Sequence, residues 1–269
     1  MARVGFIGAG NMAEAIARGL LRAGLYTVQE ICAADPNVDR QRLFRDELGV
    51  ACFGTPAEVA GRADILILAV KPYVVGEALA QMAAALRPES LLVSIAAGIS
   101  TAFIEQAAGG GGERRVVRVM PNTPMLVGKG MSAIARGKLA TDADVLLVER
   151  IFGAGGKTVR VDEPALDAVT GVSGSGPAYI FYLCEVLAAA GVKAGLPEDQ
   201  AAVLARQTVV GAAAMLEASK EAPAELRRKV TTPGGTTQAA IETMQAADLA
   251  GTIARAVAAA TQRSKEMGK

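Results

Sequence analysis

The sequence predicts an α/β protein in which a doubly wound, mainly parallel sheet is followed by an all-α domain. Two observations predict it. Short β-rich runs alternate with amphipathic helical stretches up to about Val161, and beyond that point strand signals stop and alanine-rich helical spacing takes over. The 269 residues suffice for two domains, on a prior of roughly 100 to 200 residues each. The expected division is 1–162 and 163–269.

In chain order, Arg3 to Ile7, Ile31 to Ala34, Ile65 to Val70, Leu91 to Ile95 and Arg115 to Met120 read as strands, with helical patterns between most of them. Such alternation implies βαβ units and ligands at the carboxyl ends of the strands. Met131 to Ala135 and Lys157 to Val161 read as two further strands flanking a helix that Thr141 or Asp142 caps. The helices then expected are Ala178 to Ala190, Pro197 to Ala218, Pro223 to Val230, Thr237 to Met244 and Leu249 to Met267. Pro197, followed by Glu198 and Asp199, makes a good first turn, because proline needs no donor there and acids suit a helix start. Val209 to Leu216 is apolar nearly all round, so it must be buried on more than one side, and a helical domain this thin gains by dimerising. Gly109 to Gly112 reads as a surface loop.

Composition excludes several classes of function. The 28 basic and 27 acidic residues nearly balance and form no long run of one sign, so neither a nucleic-acid groove nor an anionic membrane surface is expected. Cys32, Cys52 and Cys184 are odd in number and widely spaced, which suits reduced core thiols rather than a disulfide framework or a metal site. No export signal is read at the amino terminus, and a cytoplasmic protein is expected. The apolar stretch Ala168 to Cys184 is interrupted by Gly171, Gly174, Gly176 and Pro177, which argues against a bilayer span, and it reads as a buried loop and helix. There is no histidine, so no imidazole serves as acid, base or metal ligand.

Several segments carry chemistry. Gly8-Ala9-Gly10-Asn11-Met12-Ala13 follows the first strand and opens a helix, the setting required of a dinucleotide-binding turn. Gly8 permits the tight turn, Gly10 lets a pyrophosphate approach the backbone, and the helix start attracts the phosphates. Asp35 ends the second strand, where a carboxylate binds the adenosine ribose of NAD and repels a 2′-phosphate. Arg40, Arg42 and Arg45 follow, and they read either as a solvated face or as a source of countercharge for NADP.

Ala69-Val70-Lys71-Pro72 and Ala96-Ala97-Gly98 end two more strands, where small residues and backbone groups suit the nicotinamide half. Lys71 reads equally well as a surface lysine. Asn122 and Thr123 stand clamped between Pro121 and Pro124, either as a site pair or as an ordinary turn. In the helical part, Gly171 to Pro177, which includes Ser175, and Thr231-Thr232-Pro233-Gly234-Gly235-Thr236-Thr237 each precede a helix, so amides and hydroxyls there can hold a carboxylate. Four threonines are more than a cap requires.

Taken in order, Gly5 to Ala13, Ala69 to Pro72, Ser94 to Gly98, Met120 to Pro124, Gly171 to Tyr179 and Pro233 to Thr237 resemble the pyrroline-5-carboxylate reductase family across nearly the whole chain. The resemblance implies a Rossmann-like domain whose cofactor, NADP or NAD, contacts Ile7, Gly8, Ala9, Gly10, Asn11, Met12, Asp35, Ala69, Val70, Lys71, Pro72, Ala96, Ala97, Gly98 and Asn122. It further implies an all-α dimerisation domain, with a homodimer that sometimes builds larger rings of dimers. The substrate implied is 1-pyrroline-5-carboxylate, its ring nitrogen bonded by Thr237, its acid group held by Thr236, Gly234 and Gly235, and Ser175 standing nearby. Reduction of an imine that arrives protonated suits a chain without histidine. Asp35-Pro36 departs from the family's small polar or basic residues, so activity with both cofactors is expected. The rival β-hydroxyacid dehydrogenases place a catalytic lysine after their second glycine motif, and Gly171 to Glu185 contains none. A reductase of larger cyclic imines and a dinucleotide sensor without turnover are the other readings.

Overall fold

The computed structural model describes residues 3–109 and 114–267, so most of the glycine run read as a surface loop, 110–112, lies outside the described residues, as do 1–2, 113 and 268–269. The chain divides into two compact units, 1–175 with 259–269, and 176–258.

The first unit is built on an eight-stranded sheet ordered β3-β2-β1-β4-β5-β6-β7-β8. Its strands are β1 (Val4–Ile7), β2 (Ile31–Ala34), β3 (Ala51–Phe53), β4 (Ile65–Leu68), β5 (Leu91–Ser94), β6 (Arg115–Met120), β7 (Gly130–Arg136) and β8 (Gly156–Arg160). Neighbouring strands pair in parallel except β6 with β7, where Met120 lies opposite Ala133. The helices between them are α1 (Asn11–Arg22), α2 (Val38–Arg42), α3 (Pro56–Ala60), α4 (Val75–Met82), α5 (Thr101–Ala107) and α6 (Asp142–Gly153). Strand β3 was not among the strands read from the sequence. Three residues at the sheet's edge leave too short a pattern to register.

Alternation within each strand explains why the sheet needs helices on both sides. Val4 and Phe6 of β1, Ile65 and Ile67 of β4, and Leu91 and Val93 of β5 enter one core with Ile16 and Leu20 of α1 and Val148 and Phe152 of α6. Ile7, Leu66, Leu68 and Leu92 face the opposite core with Val59 of α3, Leu79 of α4 and Ile104 of α5. Every residue of β1, β2, β4 and β5 is buried, as in a parallel sheet covered on both faces. Thr141 caps α6 by a capping box, its hydroxyl accepting from the Asp144 amide while the Asp144 carboxylate accepts from the Thr141 amide.

After β8 the chain turns helical. Glu163 ties this segment to α5, accepting from the Thr101 amide at 2.7 Å and the Thr101 hydroxyl at 2.6 Å, and to the sheet by accepting from Arg118 of β6 at 3.3 Å. A short helix α7 (Leu166–Val169) runs into a wider π-type turn over Thr170–Gly174. A glycine-rich loop was expected there. Instead the backbone stays helical and widens, because the Ser175 amide reaches back five residues to the Thr170 carbonyl at 2.8 Å.

Helices α8 (Gly176–Lys193), α9 (Glu198–Ala218), α10 (Pro223–Lys229), α11 (Thr236–Ala246) and α12 (Leu249–Met267) follow. The end of α12 belongs to the first unit, where the Ser264 hydroxyl donates to Asp167 at 2.7 Å. In the second unit α8 packs against α9, yet α8 buries none of its residues and α9 buries only Ala201 and Ala205. The run Glu163–Lys193 and α9 are long and apolar enough to cross a bilayer by length and composition. The burial expected around Val209 to Leu216 is absent within one chain, with Val210, Met215 and Leu216 all exposed. Exposed apolar faces of this size mark an interaction surface.

Candidate functional site

The first cluster lies where strand order reverses. Strand β1 sits between β2 and β4, so the loop leaving Ile7 emerges at the switch point of the sheet, where doubly wound proteins bind ligands. The Gly8 amide donates to the Ala34 carbonyl at 2.8 Å, and the Ala69 amide donates to the Ile7 carbonyl at 2.8 Å. These bonds tie the turn at Ile7 and Gly8 to Ala34 on one side and to Ala69 on the other. Gly8 has φ +97, and a Cβ there would stand 2.8 Å from the Ala69 carbonyl oxygen, so only glycine makes this turn without strain.

Gly10 is different. Its φ is −70, and no atom comes within 4 Å of the position its Cβ would take. Open space beside the start of α1, which no side chain caps, leaves Asn11, Met12 and their neighbours to present amides to an anion. The residues present therefore fit a dinucleotide pyrophosphate.

The Ala9 peptide is held from both sides. Its amide donates to Asp35 Oδ2 at 2.8 Å, and its carbonyl accepts from Arg40 Nε at 2.6 Å. Asp35 Oδ1 accepts the Asn37 amide at 2.9 Å, and Gln41 donates to the Asp35 carbonyl at 2.7 Å. Arg40 also donates to Glu14 at 2.8 Å, and Glu14 accepts from Arg18 at 2.9 Å. Burial alone would push the Glu14 carboxyl up, but the charge-assisted bonds from Arg40 and Arg18 outweigh it and hold the group below its ordinary range. The roles of Glu14 and Arg40 in the loop were not legible beforehand. Position 14 reads as a polar helix residue, and Arg40 lies 31 residues from Ala9 in sequence.

Val70 and the exposed Lys71 follow β4, and Lys71 leads in extended backbone into a turn at Pro72–Val74. Beyond β5, Ala96 is buried with its amide on the Ser94 hydroxyl at 3.3 Å, and Ala97 and Gly98 are half-buried. Asn122 is buried and spent on the backbone, donating to the Ser173 carbonyl at 3.0 Å and accepting the Met131 amide at 2.8 Å. It thereby ties the turn after β6 to the π-type turn. Ser175, half-buried, ends the first of the two chain segments that make up the first unit.

The second cluster, in the other unit, is the start of α11. Gly234 takes φ +69, and its amide is held by Gln238 Oε1 at 2.7 Å, while the Gly235 amide donates to the Thr232 carbonyl at 3.0 Å. Gly235 precedes the helix and supplies no side-chain cap, so Thr236 and Thr237 open α11 with hydroxyls beside its first amides. Thr236 is exposed and Thr237 half-buried. Gln238 was missed, although its position four residues after Gly234 was the available signal. Among the described residues no group of metal-binding side chains occurs.

Cys32 and Cys52 are buried free thiols, each pushed up to about 11 by burial. Cys184, half-buried, is free as well.

Comparison with known proteins adds to this geometry. Residues 163–267 match the family described as pyrroline-5-carboxylate reductase dimerisation, and residues 3–98 match NADP oxidoreductase coenzyme F420-dependent. The chain is 44% identical to the pyrroline-5-carboxylate reductase of Arabidopsis thaliana, over 99% of this chain and 96% of that protein. A pyrroline-5-carboxylate reductase structure from Coxiella burnetii superposes with a TM-score of 0.91 at 35% identity, covering 100% of this chain and 99% of that one. The Plasmodium falciparum pyrroline carboxylate reductase, solved with NADP bound, gives a TM-score of 0.88 at 31% identity, covering 100% and 98%.

Proposed function

This chain belongs to the pyrroline-5-carboxylate reductase family, and from that premise we propose how it reduces 1-pyrroline-5-carboxylate to L-proline, the last step of proline biosynthesis. It is an NAD(P)H-dependent oxidoreductase acting on a carbon–nitrogen double bond, and it forms a homodimer through its helical part. A bound reduced nicotinamide supplies the hydride. The chain's own residues bind, orient and shield.

The observation that carries the site assignment is the start of α11, where the hydroxyls of Thr236 and Thr237 stand beside the first amides of a helix that no side chain caps. The substrate carboxylate lies against Gly234 and Gly235, whose amides exchange their bonds to Gln238 and Thr232 for it, and is held by Thr236, while Thr237 bonds the ring nitrogen. Ser175 assists from the companion segment. The pyrophosphate lies against Gly8 to Met12, the adenosine ribose against Asp35, and the nicotinamide half against Ile7, Ala69 to Pro72 and Ala96 to Gly98. Asn122 keeps the turn beneath that half in place by its two backbone bonds.

No side-chain acid stronger than a hydroxyl is needed, because the imine can arrive protonated and already electrophilic. The functional division is placed between 162 and 163, a reading supported by the match of residues 163–267 to the dimerisation family, whereas the compact units divide after Ser175. A second subunit, rather than a membrane, covers the apolar faces of α8 and α9. Rings of dimers and a cytoplasmic location complete the proposal, with no nucleic-acid partner.

The test is loss of nicotinamide absorbance with 1-pyrroline-5-carboxylate, scored together with proline formed. Thr237→Ala should lower kcat about a hundredfold while leaving the melting temperature and cofactor binding unchanged, as loss of one transition-state hydrogen bond does. Thr237→Ser should recover most of it. Full activity in the alanine variant would overturn the assignment of Thr237.

A further inference from the structure

The adenosine end of the loop contains an arrangement that the reaction itself does not require. Asp35 stands where the ribose hydroxyls of a bound dinucleotide lie, and both its carboxylate oxygens accept backbone amides, from Ala9 and Asn37. It cannot turn away without giving up those bonds. A 2′-phosphate entering here meets a fixed anion, and only a nearby cation offsets the repulsion.

Three arginines follow β2, and each has a partner. Arg42 pairs with Asp39 at 3.5 Å, and Arg45 donates to the Cys52 carbonyl at 3.4 Å. Of the three, Arg40 is the one bonded to the glycine-rich turn, through the Ala9 carbonyl, and its Nη2 is engaged by Glu14 at 2.8 Å. Both side chains are well shielded, with 22% exposure for Arg40 and 15% for Glu14. A pair so shielded from water and salt does not exchange partners as freely as a surface pair does.

We infer that Glu14 determines cofactor preference: by engaging the Arg40 guanidinium it denies a 2′-phosphate its countercharge, and so sets the chain toward NADH. Glu14 acts through Arg40 and is a positioning residue, touching neither ribose nor phosphate. Asp35 supplies the repulsion and Glu14 withholds the relief. NADPH remains usable, but it binds without the charged partner that the sequence places within reach. The inference rests on the proposed function only for the presence of a nicotinamide dinucleotide at this turn.

Dissociation constants for NADH and NADPH, measured without substrate by nicotinamide fluorescence, test it on the wild type, Glu14→Gln, Arg40→Gln and the double variant. The wild type should bind NADH more tightly than NADPH. Removing the Glu14 charge should tighten NADPH about tenfold, the scale of one charge-assisted hydrogen bond, with NADH changed less than about twofold. The double variant should lose that gain. A wild type that prefers NADPH overturns the inference without any variant, which covers a variant that fails to fold. Equal shifts for both nucleotides, or a gain that persists without Arg40, overturn it too. If neither nucleotide binds, the proposed function falls with it, whereas binding of both with no selective shift removes this inference alone.

Discussion

Gly8 and Gly10 stand two residues apart in one turn, yet the structure assigns them separable costs. In Gly8→Ala the new methyl meets the Ala69 carbonyl oxygen at 2.8 Å with φ fixed at +97. The backbone conformation costs about 1–2 kcal/mol for an L-residue, and relieving the overlap adds about 1–3 kcal/mol. A total near 3 kcal/mol lowers the melting temperature by roughly 6–12 °C in a chain of this size. Gly10→Ala has φ −70 and open space, so its stability cost stays under about 1 kcal/mol, the scale of a changed helix N-cap. Its methyl instead occupies the approach of the pyrophosphate. NADH binding should weaken at least about tenfold, equivalent to ~1.4 kcal/mol. Thermal melting of the free protein and fluorescence titration with NADH separate the two effects. Gly10→Ala melting as low as Gly8→Ala, or binding NADH as tightly as the wild type, would refute the division of labour.

Other outcomes follow from the same structure. Asn122→Ala leaves the Met131 amide and the Ser173 carbonyl without their buried partner, so melting should fall by roughly 4–12 °C, for ~2–3 kcal/mol lost. On α8, Phe181 is 68% exposed within one chain, and Phe181→Asp should convert the dimer to monomers in light scattering; an unchanged mass would show that this face is not the interface. Acid stability should depend on Glu14, whose folded-state pKa lies below its ordinary value of 4.5. A depressed carboxyl stabilises the fold above its ordinary pKa and loses that contribution as pH falls through the folded value, so Glu14→Gln should flatten the melting curve against pH below about 4.5. A parallel slope in both proteins would count against it.

Local pattern was enough for most of the fold. β2 and β6 have the bounds read from residue periodicity, as does α12, because each carries a continuous apolar or helical pattern with clear ends. Strand β3 escaped for the opposite reason, being a three-residue edge element whose pairing with β2 exists only in the folded sheet. The glycine-rich segment at Thr170–Gly174 was misread as a loop. Composition reports that glycine weakens a helix, but not that backbone bonds from Ser175 to Thr170 can keep the turn closed.

The candidate site divides in the same way. Gly8, Gly10, Asp35 and the threonines at the start of α11 were legible because each requirement is local: a tight turn, a strand end, a helix start. What Asp35, Asn122 and Arg40 actually bond was not, since Ala9 lies 26 residues from Asp35 and Ser173 lies 51 from Asn122. By itself the sequence determined the order of elements and the chemistry available at each strand end, because short-range sterics and hydrophobic periodicity act along the chain. Only tertiary structure decided which carboxylate faces which guanidinium around Ala9, because hydrogen bonds and ion pairs select partners by distance in space.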